Sequence, residues 1–358
     1  MKFPLVESVI WSIVVILVVI IFILIVYLKI LRVNIRITFK KSINYKDHVE
    51  HLLIEYLYAE EQGVLFSEKQ QKIINKFKRG FLLKRKRKII IAAFYNLSKE
   101  ISGNMIDSMD KLYQEIGLPE YSVKKLRSKR WNIVASGIKD LRNFEFKKPQ
   151  KLVEQFINHP REEVRREAYL YFLQLFEFKG LDFLDHLKAP LSEWDQIQLL
   201  GEIEKFDHQI GDVSKWLTSS NDYVILFVLK IVKLFNCLET KKILFDLLHH
   251  QNLEIRLVTI DTLSHFEIPE AKEILKEKID ELTEKELIAF FNLLEKTATI
   301  VDSLLIVIFT SYPNFEVKYR ALKILKSVDE NLYNKLEKQS EDNSYNDIIH
   351  FLDYSYGV

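Results

Sequence analysis

The chain has 358 residues, of which nine are Gly and seven Pro, well under the usual combined share of ~12%, which excludes a protein built on sheets and long loops. Its single cysteine, Cys237, excludes an intramolecular disulfide framework and a Cys-rich zinc site, and fits a reducing cytoplasm. The formal charge of +2 conceals a segregation, since residues 29–151 carry 28 Lys/Arg against 13 Asp/Glu and residues 152–358 carry 23 against 36, so a basic surface and an acidic one are expected.

Residues 1–8 read as a short extracytoplasmic N-terminus. Val9 to Leu28 is an uncharged run of 20 residues with Ser12 as its one clearly polar member. As a helix it is about 30 Å long, the hydrocarbon thickness of a bilayer. Trp11 and Tyr27 stand near its two ends, where an aromatic belt would put them. The run is too long for a signal peptide, and Lys29, Arg32 and Arg36 follow it rather than small residues. A core helix is rarely apolar on every side for so long. The pattern therefore predicts a transmembrane helix over 9–28. Lys29, Arg32, Arg36, Lys40, Lys41 and Lys46 crowd the downstream flank, so the N-terminus is expected outside and the rest in the cytoplasm, in a single-pass inner-membrane protein.

Residues 29–148 are predicted as a basic juxtamembrane helical region. Helices are expected over 44–61, 67–79, 81–101, 104–116 and 119–145, the last broken near Ser128, with Gly80, Gly103 and Gly117-Leu118-Pro119 as punctuation. Ten Lys/Arg and no acid lie between Lys69 and Lys88, ending in Lys84, Arg85, Lys86, Arg87 and Lys88. Five more lie between Lys124 and Arg130, with Trp131 next. A solvated helix face, contact with anionic lipid headgroups, nucleic-acid binding and the acidic surface of a protein partner compete for these clusters. Phe77, Phe81, Tyr95 and Trp131 offer stacking platforms, but a membrane-tethered site without a recognised nucleic-acid motif makes nucleic acid the poorer partner.

Residues 149–328 repeat. Polar junctions at Pro190, Asn221, Asn252, Thr283 and Asn314 are each 31 residues apart, and His159 extends the series backwards. Ten residues past the junctions come Leu200, Ile231, Thr262, Leu293 and Ile324, and one further come Gly201, Val232, Leu263, Leu294 and Leu325. The unit around Pro190 is the poorest match. Within one period Ile255, Val258, Leu263 and Phe266 mark a helical stripe behind an N-cap at Asn252, and residues 242–249 form a second, shorter helix. Each period is thus a helical hairpin that buries its apolar face only against its neighbours. About six of them make an all-α solenoid, closed by a C-terminal helical cap over 329–358.

The segments Glu163-Val-Arg-Arg-Glu-Ala168, Glu254-Ile-Arg-Leu-Val-Thr259 and Glu316-Val-Lys-Tyr-Arg-Ala321 resemble the start of the second helix in HEAT-type repeats. The short period is similar to that of the HEAT-like repeats first associated with phycobilisome lyases. The resemblance covers residues 149–328 and implies an α-solenoid; scaffolds, lyases and nucleic-acid binders all use that fold. It also implies a line of basic residues on one face, here Arg165, Arg166, Arg256, Lys318 and Arg320, although the units at Pro190 and Thr283 lack theirs. These five could bind acidic peptides, or pair hairpin to hairpin within the stack.

No phosphate-binding loop, dinucleotide fingerprint, zinc-protease motif or nucleophile elbow occurs. His48, His51 and Glu55 share a helix face, for which a polar surface is a better account than a metal. Neither an enzyme nor a cofactor is expected. The sequence supports a membrane-anchored cytoplasmic scaffold or adaptor with protein partners. The alternative is an accessory subunit of a membrane enzyme, because single-pass HEAT-like proteins resemble those that accompany a membrane glycosyltransferase in bacterial polysaccharide synthesis. A nucleic-acid-binding solenoid is a lesser alternative.

Overall fold

The computed structural model describes residues 4–59, 66–206, 211–337 and 343–355. Residues 60–61 of the helix expected over 44–61, residues 1–3 of the N-terminus, and residues 338–342 and 356–358 of the C-terminal cap lie outside the described residues. Every regular element among the described residues is helical: nineteen α-helices and four 3-10 segments. The chain divides into two compact units, Met1–Lys147 and Lys148–Val358.

The first unit contains α1 (Pro4–Leu57), α2 (Glu68–Leu82), α3 (Lys84–Ser98), α4 (Asn104–Glu115), α5 (Leu118–Leu126) and α6 (Trp131–Asn143). The apolar run and the helix expected from residue 44 are one continuous helix. No Gly or Pro interrupts it after Pro4, so nothing in its sequence breaks it. Its last turns bury Val49, Leu52, Leu53 and Tyr56, whose spacing places them on one face. Lys69 pairs with Glu55 at one end of α2 while Gly80 meets Tyr45 at the other, so α2 runs back along α1. α3 returns alongside α1, with Lys86 over Tyr45. Phe77, Phe94, Tyr113 and Phe144 form a chain of ring contacts through the core, with centroids 4.6 to 5.4 Å apart.

Gly80 does not punctuate. It lies inside α2, where an added Cβ would come within 2.5 Å of the Tyr45 hydroxyl and 3.1 Å of Ile90 Cδ1, so it is the closeness of α1 and α3 that requires glycine. The break falls instead at Leu83, the extended residue between α2 and α3. Gly117 does punctuate: its left-handed backbone (φ +77°) ends α4, and Pro119 then opens α5.

The second unit stacks six hairpins. In order their second helices are α8 (Glu162–Phe176), α9 (Glu193–Ile203), α11 (Asp222–Phe235), α13 (Leu253–His265), α15 (Glu284–Thr297) and α17 (Phe315–Val328). Their shorter first helices are α7 (Gln150–Glu154), a 3-10 run over Glu177–His186, α10 (Ser214–Leu217), α12 (Lys241–Leu247), α14 (Glu270–Lys276) and α16 (Ser303–Phe309). α18 (Glu330–Glu337) and α19 (Asn343–Ser355) follow, and α19 covers the last repeat by burying Ile348, Ile349 and Leu352.

Asn221, Asn252, Thr283 and Asn314 are true N-caps, each accepting a backbone N–H from the first turn of its helix. The first two units are displaced. Arg161 and Ser192, not His159 and Pro190, precede α8 and α9. These two are also 31 residues apart, and the step from Ser192 to Asn221 shortens to 29. That slip is why the unit at Pro190 reads poorly. Ile203, rather than the exposed Gly201, takes the buried place held by Val232, Leu263, Leu294 and Leu325 in the later repeats.

The caps also join the repeats. Ser192 Oγ donates to Glu162 Oε1 at 3.0 Å and Asn252 Nδ2 to Asp222 Oδ2 at 2.7 Å, while Asn221 Nδ2 reaches the Leu187 carbonyl at 2.6 Å. A single side chain therefore starts one helix and ties it to the preceding hairpin.

Candidate functional site

Two surfaces carry chemistry that packing does not use. The first is the corner between α2 and α3. A capping box between Ser67 and Gln70 starts α2, and Leu83 alone turns the chain into α3. Leu82 and Leu83 are 80% and 55% exposed at this turn. Lys84, Arg85, Lys86 and Lys88 are exposed around them, and Arg87 is half-buried. Lys86 Nζ lies 4.8 Å above the Tyr45 ring, and the Arg87 guanidinium lies 4.3 Å above Tyr121. The first turn of α3 contains no acid, so its cations sit at the positive end of the helix dipole. Each such placement is unfavourable by a few tenths of a kcal/mol to about 1 kcal/mol, which a neighbouring layer of anions would reverse. In the other basic cluster Lys125 is held by Asp140, 2.5 Å away. Lys124, Arg127, Lys129 and Arg130 are exposed there, as is Trp131.

On α1, Trp11 and Tyr27 are exposed, as is every large apolar side chain described from Ile13 to Leu28. The helix is long and apolar enough to cross a membrane, with a mean hydropathy of 3.4 over 18 residues and none of that stretch buried. Exposed apolar side chains continue past the uncharged run at Ile30, Leu31, Val33, Ile35 and Ile37, interleaved with Arg32 and Arg36.

The second surface belongs to the repeats. Arg165 and Arg256 occupy equivalent places four residues past their caps, and each Nη1 donates to two carbonyls of the preceding turn, His159 and Pro160 or His250 and Gln251. Arg256 Nε also donates to Glu286 Oε1 of the next hairpin at 2.5 Å, and Arg166 Nε makes the same link to Asp195. Burial alone would push the Glu286 carboxyl up, but the Arg256 and Thr283 hydrogen bonds outweigh it and hold it below the usual range. Arg320 pairs with Glu316 and Glu295. Lys318 takes the same place past its cap and is half-buried. The geometry thus builds Arg165, Arg166, Arg256 and Arg320 into the stack rather than gathering all five basic residues into one pocket.

Sequence reasoning missed the row beside them. The fifth residue past each cap is Ile197, Leu226, Leu257, Ile288 and Tyr319, apolar in five consecutive repeats and buried in none. Along the helix starts runs a row of first-turn carboxylates: Glu163, Glu193, Asp222, Glu254, Glu284 and Glu316. The 31-residue spacing already contained the apolar row from Leu226 to Tyr319, but the slip at Ser192 put Ile197 out of line, and the carboxylates stand at either the first or the second residue past the cap. Among the described residues no group of three or more His, Cys, Asp or Glu side chains is placed to hold a metal.

No family model matches the chain, and no curated protein is detectably similar to it. Among solved structures it is similar to an engineered protein from a structural genomics consortium, at 15% identity over 84% of this chain and 86% of that one, with a TM-score of 0.31. It is also similar to the complex of CpcE and CpcF of phycocyanin lyase from Nostoc sp. PCC7120, at 12% identity over 83% of this chain and 97% of that one, with a TM-score of 0.24. A second engineered protein from the same consortium matches at 14% identity over 71% of this chain and 96% of that one, with a TM-score of 0.23. Likenesses this distant leave function to be read from the chain itself.

Proposed function

We propose that this is a non-enzymatic, single-pass protein of the inner membrane whose helical repeats form a cytoplasmic docking scaffold. The observation that carries the reading is α1, whose uncharged run over 9–28 is as long as a bilayer's hydrocarbon is thick and which continues unbroken into the core of the first unit. The Lys/Arg-rich flank after Leu28 favours a cytoplasmic location for everything beyond it. The half-exposed row from Ile197 to Tyr319, edged by first-turn carboxylates, suits a partner segment that is apolar on one side and basic at its rim. Holding that partner at the membrane raises its effective concentration there.

Fractionation tests the anchor: a chain lacking residues 1–28 moves to the soluble fraction, and persistence on carbonate-washed membranes would refute it. Crosslinked capture tests the scaffold. The full chain recovers a defined protein that the Leu226→Ser/Leu257→Ser/Ile288→Ser variant loses without a change in thermal unfolding, and equal recovery by both would remove the row from the interface. A membrane glycosyltransferase as the captured protein would make the chain an accessory subunit of that enzyme.

A further inference from the structure

We infer that the α2–α3 corner is a second membrane contact, a foot that rests Leu82, Leu83 and the surrounding cations on an anionic headgroup layer. This rests on the anchored reading of α1. Its own basis is where the fold places the corner and how long the apolar part of α1 is.

Gly80 on α2 and Lys86 on α3 both meet Tyr45, and the turn between them projects about two residues, or ~3 Å, beyond that level toward the apolar end of α1. The corner therefore faces the span, about level with residue 43 of α1. The apolar side chains of α1 do not stop at Leu28. From Trp11 to Ile37 exposed apolar side chains recur over 27 residues, about 40 Å of helix against about 30 Å of hydrocarbon, with Lys29, Arg32, Asn34 and Arg36 among them; Phe39 and Ile43 beyond are exposed too, beside Lys40 and Lys41. A stiff helix of that excess length fits by leaning roughly 40° from the membrane normal, with Lys29, Arg32 and Arg36 all snorkelling to the cytoplasmic interface.

At that lean residue 43 stands about 7 Å beyond the hydrocarbon edge, within or just above a headgroup layer about 5–7 Å deep. The direction of lean is set by charge. Lys84, Arg85, Lys86 and Lys88 face solvent on the corner, and each cation near an anionic surface strengthens partition by roughly fivefold. Leu82 and Leu83 then leave water for the interface. The same contact gives the cations in the first turn of α3 the anions that the helix end lacks.

The full-length chain carrying Leu82→Cys, labelled with the fluorophore NBD and reconstituted into vesicles with nitroxide quenchers on headgroups and on acyl chains, tests this. Cys237 is 5% exposed and its thiol is pushed up to about 11 by burial, so the label goes to residue 82. Probes at Val18→Cys in the span and Tyr58→Cys just past the far end of α1, where the side chain is 73% exposed, bracket the response. In phosphatidylcholine vesicles with about 30% phosphatidylglycerol, quenching at residue 82 is expected to exceed that at residue 58 severalfold. Reversing Lys84→Glu, Arg85→Glu and Lys88→Glu should weaken the corner's partition by about a hundredfold or more and abolish the quenching, while Lys86 and Arg87 keep their ring contacts. Quenching at residue 18 without quenching at residue 82 overturns the foot and leaves the anchor standing. No quenching at either position overturns both. Equal quenching at residue 82 in uncharged vesicles, insensitive to the charge reversals, overturns the anionic headgroup as its partner.

Discussion

Asp302→Asn isolates the most buried charge cluster in the repeats. The Asp302 side chain is 1% exposed where α16 begins, and its Oδ2 accepts from Lys272 Nζ at 2.6 Å and from the Thr299 N–H at 2.7 Å. Lys276 Nζ reaches Oδ1, and Lys272 also donates to the Thr297 carbonyl at 2.9 Å. Burial alone would raise this carboxyl, but the hydrogen bonds from Lys272, Lys276 and the Thr299 backbone outweigh it and lower it from 3.8 to about 2. A depression of this size corresponds to roughly 2 kcal/mol of stability at neutral pH. Because the folded value lies below the unfolded one, this contribution is complete above about pH 4 and fades as the pH falls toward 2. Asp302→Asn also strands Lys272, and breaking a buried pair from one side costs about 3–5 kcal/mol. The expected loss of about 3–5 kcal/mol lowers the Tm of the second unit by roughly 6–20 °C at pH 7. Circular dichroism melts of the detergent-solubilised chain from pH 7 to pH 2 measure it. An unchanged Tm at neutral pH, or a difference from wild type that stays constant down to pH 2, would refute the assignment. Replacing both partners with Lys272→Met/Asp302→Leu should recover most of the loss, since an apolar pair leaves no buried charge.

Asn252→Ala removes both the α13 cap and the bond to Asp222, and should cost about 1–2 kcal/mol in the same melts; a loss below about 0.3 kcal/mol would mean water replaces the cap. Gly80→Val should destabilise the first unit by about 1–3 kcal/mol, because its Cβ meets the Tyr45 hydroxyl, and Tyr45→Ala should recover part of that; chemical denaturation followed by circular dichroism reads both. Cys237 should react with a thiol reagent at pH 8 orders of magnitude more slowly than a free cysteine, since a thiol pushed up to about 11 is roughly one part in a thousand thiolate there, and should react fully in guanidinium; rapid native labelling would show that its burial is wrong.

The fold was legible because its signals are local and repeated. An Asn at a cap does the same job wherever it stands, so Asn221, Asn252 and Asn314 could be read from spacing alone. The helix ends at Gly117 and Pro119 were legible for the same reason. What escaped depends on contacts between distant residues. Gly80 looks like a terminator until Tyr45, 35 positions earlier, is seen against it. Arg256 looks like a binding residue until Glu286 appears beside its guanidinium, and Leu82-Leu83 looks like ordinary core until both side chains are found in solvent. The basic cluster was visible as composition, but its position beside Tyr45 was not.

The 29-residue step between Ser192 and Asn221 has a mechanical consequence. In a repeat array each unit is stabilised chiefly by its neighbours, so a chain drawn out from its C-terminus yields one repeat after another. Every 31-residue period released adds about 110 Å of extended contour, whereas the step across Ser192–Asn221 adds about 7 Å less. In a force-extension trace the irregular repeat would mark its own place, like one odd tooth on a ratchet, and show how far the unwinding had travelled toward the first repeat.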